Sequence, residues 1–220
     1  MRTAWRRPPP RPRQQGSKVE GKTGLYRLAA VRPLLVSFAG GGVGSWAVSR
    51  LEAVVGASLQ PVSHLEVIEG EADPISHARP AWVLRGVTSN ERYVSRAEHD
   101  TLVAKQESLG RLESTRAALI PITKSEAWWE LAQDERRQIF EDSSRHVATG
   151  LEYVPAVARR LHHGRDLGAP FDFLTWFEFA PKDADAFEQL VGRLRETSEW
   201  AYVDREIDIR LIRESSSSLT

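Results

Sequence analysis

Residues 172–179, reading DFLTWFEF, alternate without a break and commit part of this chain to β-sheet. Successive side chains of a strand point to opposite faces. Phe173, Thr175, Phe177 and Phe179 therefore share one face, while Leu174 and Trp176 share the other with Asp172 and Glu178. Shorter runs of the same character lie at residues 33–39 (PLLVSFA), 64–69 (HLEVIE), 81–87 (AWVLRGV), 117–122 (AALIPI), 199–203 and 206–212.

Helical periods fall between these runs. Ser95 and Glu98 form an S-x-x-E capping box, opening a helix that extends to about Leu112. Its apolar face carries Leu102, Val103 and Leu109, with a misplaced glutamine, Gln106. Residues 125–149 keep a helical period in one or two pieces, with Ile139, Phe140, Ser143, His146, Val147 and Gly150 on one side. A further helix is predicted from Pro155, which a first turn tolerates, to Leu161. Asp183 can cap another, whose stripe is Phe187, Leu190, Val191 and Leu194. This order predicts an α+β fold, an antiparallel sheet with helices on one face.

Composition bounds the function. The chain has 220 residues, enough for one well-buried domain or two small halves sharing a core. No run approaches twenty apolar residues, so no membrane-spanning helix is expected. The chain has no cysteine, which excludes disulfides, thiolate metal ligands and a cysteine nucleophile. The formal net charge of +0 conceals an asymmetry, because residues 1–23 hold seven Lys/Arg against Glu20 alone. That segment contains RRPPPRPR and no apolar period, so residues 1–31 are predicted to be a disordered arm. It lacks the apolar core of a secretory signal. We expect a cytoplasmic protein with neither nucleic acid nor membrane as partner; a periplasmic one is the alternative. Residues 32–212 form the predicted domain and 213–220 a disordered tail.

The glycine run at 40–44, in AGGGVGSW, loosely suggests a dinucleotide-binding turn. Its third glycine is missing, and no alternation of parallel strands and helices follows. Nucleotide binding is rejected on both counts.

The chemistry concentrates between Thr123 and Leu211. His146 precedes Arg159 by thirteen residues, and around them run ITKSEAWWELAQDERRQIFEDSSRH, LEYVPAVARRLHHGRDLG and PFDFLTWFEF. This ensemble, over roughly residues 33–212, resembles the chlorite dismutase family, haem b enzymes that convert chlorite to chloride and dioxygen. The resemblance implies a ferredoxin-like α+β barrel whose N-terminal half is trimmed, as in the small branch of the family, and hence a homodimer. It implies haem b as cofactor, with His146 as the proximal iron ligand and Glu199 and Lys124 as partners of its imidazole. Glu196 is the alternative to Glu199. Arg159 then stands as the distal arginine that retains the hypochlorite intermediate, and Gln106 positions it. Trp128 and Trp129 would flank the haem and its propionates, and Asn90 and Tyr93 in TSNERYV would face the propionates. His162 and His163, read as neighbours on a helix, are expected on the surface.

Two rival functions follow from the same residues. One is the sister activity that decarboxylates coproporphyrin haem, whose Gram-positive form carries glutamine where this chain has Arg159. The other is a haem-binding sensor or carrier without turnover.

Overall fold

The computed structural model describes residues 33–71, 79–88 and 108–214. Within them, eight strands close an antiparallel barrel in the order β1-β3-β2-β8-β5-β7-β6-β4. The strands are β1 (Leu35–Gly41), β2 (Trp46–Val55), β3 (His64–Glu69), β4 (Trp82–Thr88), β5 (Arg116–Lys124), β6 (Val157–His163), β7 (Phe173–Phe179) and β8 (Val203–Arg213). The helices are α1 (Glu126–Glu130), α2 (Gln133–Arg137), α3 (His146–Glu152) and α4 (Ala184–Arg195), with a π turn at Gln138–Ser143 before α3. This is the α+β class that the element order predicts, in the ferredoxin-like form that the resemblance implies. The capping box at Ser95 and most of the helix it would open lie outside the described residues, as do residues 1–31.

Alternation on β7 explains why this strand is central. Leu174 and Trp176 point into the barrel with Phe38, Leu119, Ile207 and Ile209. Phe177 and Phe179 point outward and meet Phe187, Leu190, Val191 and Leu194, the stripe of α4. Both faces of β7 are thus covered, one by the opposite barrel wall and one by a helix. Truncating a buried leucine of that stripe to alanine typically costs about 2–5 kcal/mol.

The same alternation on β8 sets Ile207, Ile209 and Leu211 inside and turns Glu206, Asp208 and Arg210 outward. That charged face is nonetheless buried, because Arg195 of α4 binds Glu206 through Nε (2.9 Å) and Asp208 through Nη2 (2.9 Å). Burial alone would raise the carboxyl pKa of Asp208; Arg210 and Arg195 outweigh it and hold the group below its ordinary value. Carboxylates and guanidinium groups satisfy each other here, as buried ions must.

Two local expectations fail for identifiable reasons. Residues 155–161 do not form a helix; Val157–His163 is strand β6, paired along its length with β7. Ala, Arg and Leu favour helices locally, and the ladder with β7 overrides them. The two last strands are one, β8, preceded by a 3-10 turn at Ser198–Tyr202. Asp204 and Arg205 read as a break, yet Arg205 still pairs with Thr123 of β5.

No period in the sequence predicts strand β2. Bulges between Val48 and Arg50 and between Ala53 and Val55 shift its register against β8. Val48 and Leu51 both reach the barrel core, one on each side of the first bulge. An inserted residue reverses the alternation, so no period of two runs through WAVSRLEAVV.

Candidate active site

The site lies where the helices cover the outer face of β5, β7 and β6. His146 is the first residue of α3. Its Nδ1 lies 2.9 Å from Oε2 of Glu199, and the other carboxylate oxygen of Glu199 accepts from Lys124 Nζ at 2.8 Å. Lys124 Nζ also donates to the Glu199 carbonyl at 3.2 Å and sits 4.8 Å above the Trp128 ring. Glu199 N–H donates to Ser144 Oγ at 3.2 Å, fixing the backbone that carries the carboxylate.

Glu199 is almost fully buried. Desolvation pushes its pKa up, but the charge and hydrogen bonds of His146 and Lys124 outweigh this and hold it at about 2. The carboxylate therefore stays ionised and accepts the imidazole N–H. Glu196, left open beside it in the sequence, is exposed and lines a polar pocket with Arg193 and Thr197. His146 Nε2 makes no hydrogen bond among the described residues.

Arg159 lies on β6 opposite Phe177 of β7. It shares a face with Leu161 and His163, the face that the helices cover. Its guanidinium rests on α3: a Cβ at Gly150 would come within 3.0 Å of Arg159 Nη1. Glycine at 150 is what lets the cation approach the backbone of the His146 helix. Burial pushes the Arg159 pKa down from its ordinary value, and the Glu141 carboxylate acts in the opposite sense. Arginine remains charged under such a shift.

The two tryptophans differ. Trp128 is fully buried, 5.5 Å from the Tyr202 ring. Trp129 is half-buried between the Phe173 ring at 6.0 Å and the Arg165 guanidinium at 4.0 Å. Its Nε1 donates to Asp172 Oδ2 at 3.3 Å, and the same oxygen accepts the Lys124 N–H at 2.8 Å. Asp172 therefore joins the Trp129 ring to the strand end that bears Lys124. In the sequence Asp172 stands on a strand face with no evident role, and an acid set in an apolar alternation is the signal that marks it. The structure thus gathers His146, Glu199, Lys124, Trp128 and Arg159 around α3, with Trp129 linked through Asp172. Gln106, Asn90 and Tyr93 lie outside the described residues.

His162 and His163 are not on the surface. Neighbours on a strand face opposite ways, so His162 enters the barrel and His163 faces the helix side, edge-on to Phe173 at 5.0 Å. His162 bonds the Leu174 carbonyl through Nδ1 (2.9 Å) and accepts from Arg160 Nε through Nε2 (3.1 Å). Burial drives its pKa down to about 4, against the opposing pull of that carbonyl. Both ring nitrogens are occupied, which removes His162 as a metal ligand.

A closed antiparallel barrel whose helix layer carries a histidine tethered to a buried carboxylate narrows the class of protein. The family model for chlorite dismutase matches residues 67–213, and the chain belongs to that family. A dimeric chlorite dismutase from Nitrobacter winogradskyi is 56% identical, with 81% of this chain and 99% of that chain covered and a TM-score of 0.75. The chlorite dismutase of Candidatus Nitrospira defluvii, in its imidazole complex, shares the fold at 18% identity, covering 81% of this chain and 90% of that one, TM-score 0.59. Chlorite dismutase from Ideonella dechloratans is 33% identical over 86 residues, 39% of this chain and 28% of that protein. The match thus spans under a third of that relative's length. No helix among the described residues is long and apolar enough to cross a membrane.

Proposed function

We propose that this protein is a homodimeric haem b enzyme that converts chlorite to chloride and dioxygen. The observation that carries this reading is His146: one ring nitrogen is tied to an ionised buried carboxylate and the other makes no hydrogen bond among the described residues. That is the donor chemistry of an axial histidine, whose second nitrogen is fixed by an acceptor. No group of three His, Cys, Asp or Glu residues suited to a bare metal ion occurs among the described residues. A lone imidazole suffices for an iron whose other ligands come from a porphyrin. The residues present therefore fit haem.

When bound, haem would supply the oxygen-atom chemistry that no side chain can. His146 would hold it, and Glu199, by accepting the Nδ1 proton in a hydrogen bond, would make the imidazole a stronger donor. Lys124 keeps Glu199 ionised. Arg159 attracts the chlorite anion and retains hypochlorite until dioxygen forms; in a water-poor cleft a fixed cation acts far more strongly than in solvent. Trp129, half-buried, would present its ring beside the cofactor, and Trp128, fully buried under the Lys124 ammonium, would back that region. The homodimer fits the 56% identity to a relative described as dimeric.

An oxygen electrode tests the reading. Protein loaded with haem b should release dioxygen stoichiometrically with chlorite consumed. A protein that binds haem and releases none is a carrier or sensor, and one that decarboxylates coproporphyrin haem instead is the sister enzyme. Sedimentation should give twice the chain mass.

A further inference from the structure

The π turn before α3 has no part in the chemistry above, yet it meets the first turn of α3 twice, at His146 and at Val147. The Phe140 ring stacks on the His146 imidazole, centroids 4.3 Å apart and planes 20° apart. Its neighbour Glu141 accepts the N–H of Val147, the residue after His146, at 2.8 Å. Both contacts join residues six apart. In a continuous α-helix residues six apart lie about 120° apart round the axis and do not meet. Here the wider π turn is followed by Arg145 in the left-handed region, φ 49°. The chain is thereby re-aimed so that both side chains fold back onto α3. Pi turns recur at functional sites for this kind of re-registration.

The contacts complement the Glu199 bond. One hydrogen bond at Nδ1 fixes a direction in the imidazole plane but leaves the ring free to turn about that axis. A second ring against its face removes that freedom. Glu141 secures the backbone beneath it, since α3 takes no side-chain cap from its own N-cap residue, Arg145.

Resting on the reading of His146 as axial ligand, we infer that Phe140 and Glu141 are positioning residues that set the rotation of the imidazole through this π turn. The test is resonance Raman of the ferrous haem-loaded protein, following the iron–histidine stretching band, together with haem dissociation. Phe140→Leu should keep the band but broaden or shift it. It should also speed haem loss about 2- to 10-fold, the equivalent of one aromatic pair, and Phe140→Tyr should restore both. Glu141→Ala should shift the band, with Glu141→Gln, still an acceptor, intermediate. Circular dichroism on each variant confirms that the fold is kept. If the wild-type band is present and Phe140→Leu and Glu141→Ala leave it unmoved, the inference is overturned. If wild type itself shows no iron–histidine band, the ligand reading fails first, and the two failures are distinct.

Discussion

His162 and His146 lie on opposite sides of the same sheet and show what each side is for. Inside the barrel, His162 meets the Phe38 ring edge-on at 5.2 Å and has both nitrogens committed, so it is held neutral. On the helix side, His146 is part-exposed, carries one committed nitrogen and faces a charged pair. The barrel interior uses polarity only to satisfy itself. The helix side leaves one donor position unspent among the described residues, and that difference marks the site.

The largest expected effect comes from removing the carboxylate that makes the outer side special. Glu199→Ala strands Lys124 Nζ in a buried environment, and breaking a buried pair in this way costs about 3–5 kcal/mol. Chemical denaturation should show it, with haem affinity falling in parallel. A change below about 1 kcal/mol would mean that the pair is solvated and that the two sides of the sheet differ less than described.

Next comes the interior histidine. Its folded pKa of about 4 lies below the unfolded 6.5, so between these values the unfolded chain binds more protons. Stability contributed by neutral His162 is complete above pH 6.5 and lost as pH falls towards 4. The loss is on the order of 3 kcal/mol. Melting temperatures from pH 7 to 4 should fall accordingly, and His162→Gln should flatten that slope. A slope unchanged by the substitution would show that His162 already takes up its proton in the folded state.

Arg159→Ala should leave haem binding intact but release more hypochlorite and shorten the working life of the enzyme. Losing one charge-assisted contact is equivalent to about 1.5–3 kcal/mol, or one to two decades in retention. A hypochlorite-trapping dye beside an oxygen electrode reads both. Oxygen yield and lifetime equal to wild type would place Arg159 outside the reaction.

The smallest effect is at Gly150. Gly150→Ala adds a methyl within 3.0 Å of the Arg159 guanidinium, a flexible group that can give way. Alanine gains about 0.5–1 kcal/mol of helix preference, so the fold should be no less stable while chlorite turnover falls. Reduced stability would mean that Arg159 is rigidly held there.

Much of this was legible in the sequence because it rests on short periods. Alternation at 172–179 gave β7 and both its faces, and the stripe of α4 read cleanly. What was hidden depends on distant pairing or on broken periods. Bulges erase the alternation of β2, and helix-favouring residues disguise β6, so local pattern alone puts His162 and His163 on the surface. The stacking of Phe140 on His146 needs a π turn and a left-handed residue, neither of which leaves a period to find. Residues brought together across more than fifty positions, such as His146 and Glu199, could be named only through resemblance.

The central claim is that His146, and no other histidine on the helix side, offers a nitrogen to iron. The direct measurement is a haem titration of His146→Gly followed by optical spectroscopy, with and without added imidazole. The account predicts that the wild-type axial spectrum is lost and that free imidazole entering the vacated space restores it. A wild-type spectrum in His146→Gly without imidazole would contradict it.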